Sequence, residues 1–240
     1  MYTDLAPWWP LLSPAEDYAA EATVFGGLLR SGARQVESVL ELGSGGGHLA
    51  SHLTEDAAFT LVDLSAQMLE VSRARNPGCV HVQGDMRDVR LGRRFDAVLV
   101  HDAIDYLLSA DDVHALGETI RAHLEPGGVA VLAPDHVAES FEPGTECGGA
   151  DAPDGRGARY LEWTWDPDSS DTWAQADYAM LLRGSDGEVT TVHDSHRFGL
   201  FGRQDWLDML ADAALTAVPV LEETDEDRRP RTLFVARAAD

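Results

Sequence analysis

The stretch Val39-Leu40-Glu41-Leu42-Gly43-Ser44-Gly45-Gly46-Gly47-His48-Leu49 restricts the fold more than any other part of the chain. It reads as a buried strand, a glycine turn and a helix over Gly47–Leu53. Glycine is required where the backbone turns through positive φ, or where a ligand must touch main chain. Gly43, Gly45 and Gly47 supply that platform directly after a strand. A helix beginning there would aim free N–H groups and its positive dipole end at a ligand. The dinucleotide fingerprint G-x-G-x-x-G fails, because His48 stands at its third glycine.

Two more acids fall at useful places. Asp63 ends the apolar run Phe59-Thr60-Leu61-Val62, where an acid can bind both ribose hydroxyls. Asp85 lies in Gly84-Asp85-Met86, after the run Val80-His81-Val82-Gln83. An unpaired acid at a strand end has no packing value and costs desolvation if buried.

The three motifs, in this order, resemble class I S-adenosylmethionine (SAM) methyltransferases. The resemblance implies SAM as cofactor and S-adenosylhomocysteine as product. It places the glycine-turn helix against the methionine carboxylate, Asp63 on the ribose, Asp85 on the adenine amine and Met86 over a ring face. Glu41, Gly43, Ser44, Gly45, Leu64, Met68, Gly84 and His101 complete the implied cofactor contacts. The aromatic segment Leu5-Ala6-Pro7-Trp8-Trp9-Pro10 and the later Asp17-Tyr18 match a segment that folds over the cofactor, with Tyr18 in contact.

Composition narrows the function. The chain has 240 residues, a formal net charge of −24 and 44% hydrophobic residues, and every basic residue is arginine. That field repels phosphate backbones and excludes nucleic acid as a partner. Without lysine there is no P-loop, Schiff-base or Ser-Lys chemistry. Equally, an acidic field can attract a cationic substrate. No apolar run reaches the ~20 residues of a membrane span. Nor does a basic segment followed by an apolar one open the chain, so a cytoplasmic protein without signal peptide or membrane contact is expected. Cys79 and Cys147 form no zinc pattern and no disulfide framework, and no metal site is expected.

The architecture that the resemblance implies is α/β: a Rossmann-like seven-stranded sheet in the order 3-2-1-4-5-7-6 with strand 7 antiparallel, to which the residues add an antiparallel β insert after strand 5. A helix is predicted from Ser13-Pro14-Ala15-Glu16, which reads as a capping box, to Arg30. Another is capped by Ser65 and stops at Asn76-Pro77-Gly78. Phe95–Val100 is the clearest buried strand, and it delivers His101 to the carboxyl edge of the sheet. A helix over Asp111–Leu124 and a strand over Val129–Ala133 follow, after which Gly144–Gly157 reads as a mobile loop. Three period-2 stretches come next: Tyr160–Trp165, with Leu161, Trp163 and Trp165 on one face, Trp173–Leu182 and Val189–Phe201. A helix from Gly202 and strands at Thr216–Leu221 and Thr232–Ala236 close the fold, with Glu222–Arg231 a solvated turn between them. The whole is one domain: a cap over 1–32, a core over 33–135, the insert over 136–201 and the closing elements over 202–240.

Asp-Tyr-Ala-Ala-Glu-Ala, Gly-Asp-Met-Arg-Asp, Leu-Glu-Pro-Gly-Gly and the insert together resemble one subgroup, the N,N-dimethyltransferases of antibiotic deoxyaminosugars. The resemblance implies a small-molecule acceptor in antibiotic biosynthesis and a homodimer through the insert. His101 is the first candidate base, since imidazole titrates near neutrality. His136, Glu139 and His196 are further candidates. Trp8, Tyr106, His136, Trp163 and His196 are the residues expected around the acceptor. Nitrogen and oxygen both remain open as the methylated atom. A SAM enzyme of non-methylating chemistry and a non-catalytic SAM sensor are the alternatives.

Overall fold

Near-continuous apolar runs along the central strands present apolar side chains to both faces of a sheet and need helices on each, and the structure shows this arrangement. It is a computed structural model that describes residues 2–32, 34–222, 224 and 230–239. The main sheet contains β1 (Ser38–Leu42), β2 (Ala58–Asp63), β3 (Val80–Gln83), β4 (Phe95–His101) and β5 (Leu124–Ala133). A second sheet holds β6 (Gly144–Gly148), β7 (Gly157–Trp165), β8 (Trp173–Arg183) and β9 (Val189–Gly199). The hairpin β10 (Leu215–Leu221) and β11 (Thr232–Ala238) completes the main sheet in the order β10-β11-β5-β4-β1-β2-β3. The strands β1 to β5 pair in parallel, and β11 runs antiparallel to β5. This is the expected order and the expected reversal.

Successive residues of β4 go to opposite faces. Val98 and Val100 join Leu40, Leu132 and residues of α4 (Ala110–His123) and α5 (Arg203–Asp212). Ala97 and Leu99 join Val39, Leu61 and residues of α2 (Ala19–Leu29). All seven residues of β4 are buried. The helix α1 (Trp9–Leu12) packs Leu11 and Leu12 on Ala158, Met180 and Leu182 of the insert. The helix α3 (Ala66–Arg75) starts at Ser65, whose hydroxyl accepts from Met68 N at 3.1 Å. Among the described residues, no helix is long and apolar enough to cross a membrane.

Four local expectations are corrected. The predicted helix over Gly47–Leu53 is only a 3₁₀ turn, Ala50–His52. Gly47 sits at φ +68°, a left-handed conformation that interrupts a right-handed path. The amino-terminal helix is broken: Ala15–Tyr18 is a 3₁₀ turn and α2 begins only at Ala19. Ser13 makes no cap, because its hydroxyl pairs with Tyr18 Oη at 2.7 Å. Part of the predicted loop Gly144–Gly157 is strand β6, so the insert has four strands, not three. Finally, Glu222 and Arg231, the ends of the predicted solvated turn, are buried or nearly so. The interior of that turn, 223 and 225–229, lies outside the described residues.

Candidate active site

Parallel strands end at one edge, and their last residues converge there. After β1, the N–H groups of Gly43 and Ser44 both donate to Val62 O, at 2.8 and 2.9 Å. This double anchor draws the glycine turn against the end of β2. Gly43 has φ +73°, and a Cβ there would overlap Ala103 Cβ and press on Met86 Cε. At the tip of β2, Asp63 accepts from Gly45 N through Oδ2 and from Ser65 N through Oδ1, both at 2.8 Å. A carboxylate has about four lone-pair sites, so two remain for a ligand. Burial nonetheless lifts the Asp63 pKa, against those two backbone donors.

These residues open onto a cavity of about 790 Å³. Its cofactor-side wall includes Tyr18, Glu41, Gly43, Ser44, Gly45, Asp63, Leu64, Met68, Gly84, Asp85, Met86 and His101. The sequence-predicted cofactor residues are therefore brought together in one place. Ser44 Oγ and Glu41 Oε2 are buried there without a hydrogen-bond partner, and burial pushes the Glu41 carboxyl up to about 8. His48, in place of a third fingerprint glycine, is buried, and burial pushes its pKa down to about 4. Unpartnered polar atoms, a glycine cradle that a Cβ would fill and an acid at the strand tip fit an adenosyl amino acid such as SAM. Asp85 departs from its expected geometry. The Arg87 fork grips its carboxylate at 2.7–3.2 Å and holds it below the usual carboxylate range.

The opposite wall comes from the insert and the amino-terminal segment. Cross-strand register places Glu146 beside Glu162, Glu162 beside Tyr178 and Tyr178 beside Asp194 on one face. Glu146, Tyr160, Glu162, Tyr178 and Met180 line the cavity, as do Tyr2, Trp9 and Tyr106. Tyr178 Oη donates to Glu162 Oε1 at 2.9 Å. Burial still raises the Glu162 pKa over that bond.

The first candidate base is altered by its neighbours. His101 Nε2 lies 2.8 Å from Asp102 Oδ1 and 3.0 Å from Glu21 Oε2. Burial alone would lower its pKa, but these carboxylates override burial and raise it to about 10. That direction disfavours His101 as a base at neutral pH, the role expected of it from the sequence. Arg231 joins the same cluster, 2.8 Å from Asp135, 2.7 Å from Glu222 and 3.0 Å from Glu21. Two cations thus bind together the end of β4, α2, the segment after β5 and the closing hairpin.

Three expected acceptor residues are elsewhere. Trp8 packs under the insert with the Arg156 guanidinium 5.6 Å from its ring, and its neighbour Trp9 lines the cavity instead. His136 is exposed against Phe141, away from the cavity, and the alternative base Glu139 accepts from Arg203 N. Trp163 is 55% exposed on the outer face of the insert, stacked on Trp165 at 4.6 Å. Period-2 reading grouped its face correctly but chose the wrong side, because parity does not say which face is covered. Of the other two, Tyr106 lines the cavity, and His196 stands behind it. The reading missed Glu162 and Tyr178, which alternate with the residues it chose, and Glu222 and Arg231, which looked like surface charge.

A nucleoside-binding α/β sheet, roofed by a β insert, defines the class of protein. Residues 39–128 match the model of a methyltransferase domain. A dTDP-3-amino-3,6-dideoxy-alpha-D-glucopyranose N,N-dimethyltransferase of Streptomyces fradiae is 33% identical over 80% of this chain and 74% of its own length. The corresponding dTDP-3-amino-3,4,6-trideoxy-alpha-D-glucopyranose enzyme of Streptomyces venezuelae is 38% identical over 55% of this chain, and the match spans 57% of that enzyme. The crystal structure of DesVI from Streptomyces venezuelae superposes with a TM-score of 0.86 at 28% identity, covering 98% of this chain and 99% of that one. The chain belongs to the SAM-dependent methyltransferases, within the group of the deoxyaminosugar N,N-dimethyltransferases.

Proposed function

We propose that this enzyme methylates the amino nitrogen of a small sugar-like molecule, in antibiotic biosynthesis. The observation that carries the choice of nitrogen is the acidic acceptor wall: Glu146 and Glu162 of the insert line the cavity, as do Asp102 and Asp135, which are already paired with His101 and Arg231. Carboxylates favour a cationic group within a few ångströms, and an amine arrives as ammonium. The relatives named above act on amino sugars, which agrees with that wall. The free thiols Cys79 and Cys147 fit a cytoplasmic setting.

SAM supplies a methyl group already activated on a sulfonium, so the protein's work is positioning. In this reading Asp63 holds the ribose hydroxyls, and Gly43 lets the adenosyl group lie on main chain. Glu41 and Ser44 offer their unpartnered oxygens to the amino-acid end, and Met68 and Met86 supply apolar walls. Glu162 and Glu146 draw the acceptor's charged nitrogen to the insert side. Tyr2, Trp9 and Tyr106 exclude water above it. His101 is not a base here: with Arg231 it keeps Glu21, Asp102 and Asp135 together at the sheet edge. The whole chain acts as one catalytic unit, and the exposed Leu161, Trp163, Leu181 and Val189 on the outer insert face seat a second copy.

The test is direct. The enzyme is incubated with methyl-labelled SAM and dTDP-3-amino-3,6-dideoxy-α-D-glucopyranose, its 3-hydroxy counterpart, and a panel of free amino sugars. Label on nitrogen, followed by mass spectrometry through one and two additions, is expected. Label only on hydroxyl acceptors would overturn the reading.

A further inference from the structure

The roof of the cavity holds a chain of hydrogen-bonding groups that positioning alone leaves unused. Tyr2 Oη lies 2.8 Å from Tyr106 Oη, and Tyr106 Oη lies 2.6 Å from His196 Nδ1. His196 Nε2 stands 3.3 Å from Asp194 Oδ2, an ion-pair contact rather than an aligned hydrogen bond. The His196 side chain is 8% exposed and sits behind the cavity wall, while Tyr2 and Tyr106 form part of that wall. Rings of Tyr2, Tyr106 and Tyr178 surround the imidazole at 5.8, 5.6 and 5.3 Å between centroids, which fixes its plane.

The direction of the chain follows from the donor inventory. The negative charge of Asp194, 3.3 Å from Nε2, favours the proton on that nitrogen, which leaves Nδ1 as an acceptor. Tyr106 then donates to His196, and Tyr2 donates to Tyr106. Each phenol oxygen has two lone pairs, so Tyr106 keeps one for a group in the cavity.

We propose that Tyr106 and His196 form the relay that removes the proton an ammonium acceptor must lose before it can attack. This rests on the amine reading above. The acceptor N–H bond breaks as its proton passes to Tyr106 Oη. The former Tyr106 hydroxyl proton passes to His196 Nδ1, and the nitrogen keeps the electron pair. The result is a neutral amine, an unchanged phenol and an imidazolium beside Asp194. No oxidant or reductant takes part, and the same relay serves a second methylation once the imidazolium has returned its proton to solvent. Tyr106 touches the acceptor, and His196 acts through it.

The two histidines of the site have opposite states. Burial pushes His196 down, with Asp194 resisting, so it is neutral and ready to accept. His101 is held protonated by Asp102 and Glu21. Among the described residues, the titratable groups facing His196 are Tyr2, Tyr106, Tyr178 and Asp194, with Glu162 behind Tyr178 and Asp105 near Tyr106.

Two experiments test the relay. In ¹⁵N-histidine-labelled, ligand-free enzyme, two-bond ¹H–¹⁵N spectra at neutral pH should show His196 neutral with its proton on Nε2. Tyr106→Phe should shift its Nδ1 resonance. A doubly protonated His196, or one protonated on Nδ1, overturns the proposal with no acceptor needed. The second experiment measures pH–rate profiles with dTDP-3-amino-3,6-dideoxy-α-D-glucopyranose. His196→Asn keeps an oxygen for Tyr106 but cannot take up a proton. It should lose kcat on the order of a hundredfold near neutral pH, keep its KM for SAM and move the acid limb of the profile up to the acceptor ammonium's own pKa. Full kcat with that limb unmoved overturns the relay. Absence of turnover by the wild type counts against the acceptor reading alone, and the spectra still decide the relay.

Discussion

Raising the pH of the ligand-free enzyme from neutrality should weaken it well before any tyrosine ionises. His101 has its pKa raised from 6.5 to about 10 in the fold. A raised value means that the folded state binds the proton more tightly. The stabilisation is complete below the unfolded value and is lost as pH climbs to the folded one. Glu41, raised from 4.5 to about 8 by burial, loses its contribution in the same direction. Between about pH 7 and about pH 9 the loss is on the order of 2 to 3 kcal/mol from His101 and on the order of 1 to 2 kcal/mol from Glu41. Glu41→Gln isolates the histidine, because Glu41 is not among the carboxylates on its ring. Urea titrations followed by tryptophan fluorescence should show the Glu41→Gln protein losing on the order of 2 to 3 kcal/mol over this range. The Glu41→Gln/His101→Gln double variant should be nearly flat. If the single variant keeps its stability across the range, or the double variant loses as much as the single one, His101 is not a protonated member of the cluster.

Three further outcomes are expected. Gly43→Ala forces a Cβ into Ala103 at φ +73°, so calorimetry should find SAM binding abolished and the midpoint of thermal unfolding lowered. Asp63→Ala removes the acceptor for Gly45 N and Ser65 N as well as the ribose contact, and SAM affinity should fall by about 1.5–3 kcal/mol. Trp163→Glu places charge on the exposed insert face; if the proposed pairing of two copies holds, sedimentation should show a wild-type dimer and a monomeric variant, with SAM affinity unchanged.

Legibility differed between features for physical reasons. The strands could be read because Val39–Leu42, Phe59–Asp63 and Phe95–Val100 are largely apolar runs, while their order in the sheet followed from the family resemblance. The adenosyl-side residues could be read because each sits within a few positions of a strand end. The protonation of His101 could not, since besides its neighbour Asp102 it depends on burial, on Glu21, and on Arg231, which opposes it, and the last two are adjacent only after folding. Arg231 and Glu222 looked like surface charge because the residues around them are charged, yet their mutual 2.7 Å pairing allows burial. Strand β6 was hidden by Gly144 and Gly148, residues that weaken a strand signal without preventing edge pairing to β7. Glu162 escaped because it alternates with Trp163, and only the covering of one face shows which of the two points inward.

The central claim is that strand-tip acids hold an adenosyl group whose sulfur faces the insert. A crystal structure with S-adenosylhomocysteine tests it most directly. The account predicts ribose hydroxyls on Asp63, main-chain contact at Gly43, and the sulfur turned toward Tyr106 and the Glu162 side of the cavity. A ligand bound away from Asp63, or with its sulfur turned from the insert, would contradict it.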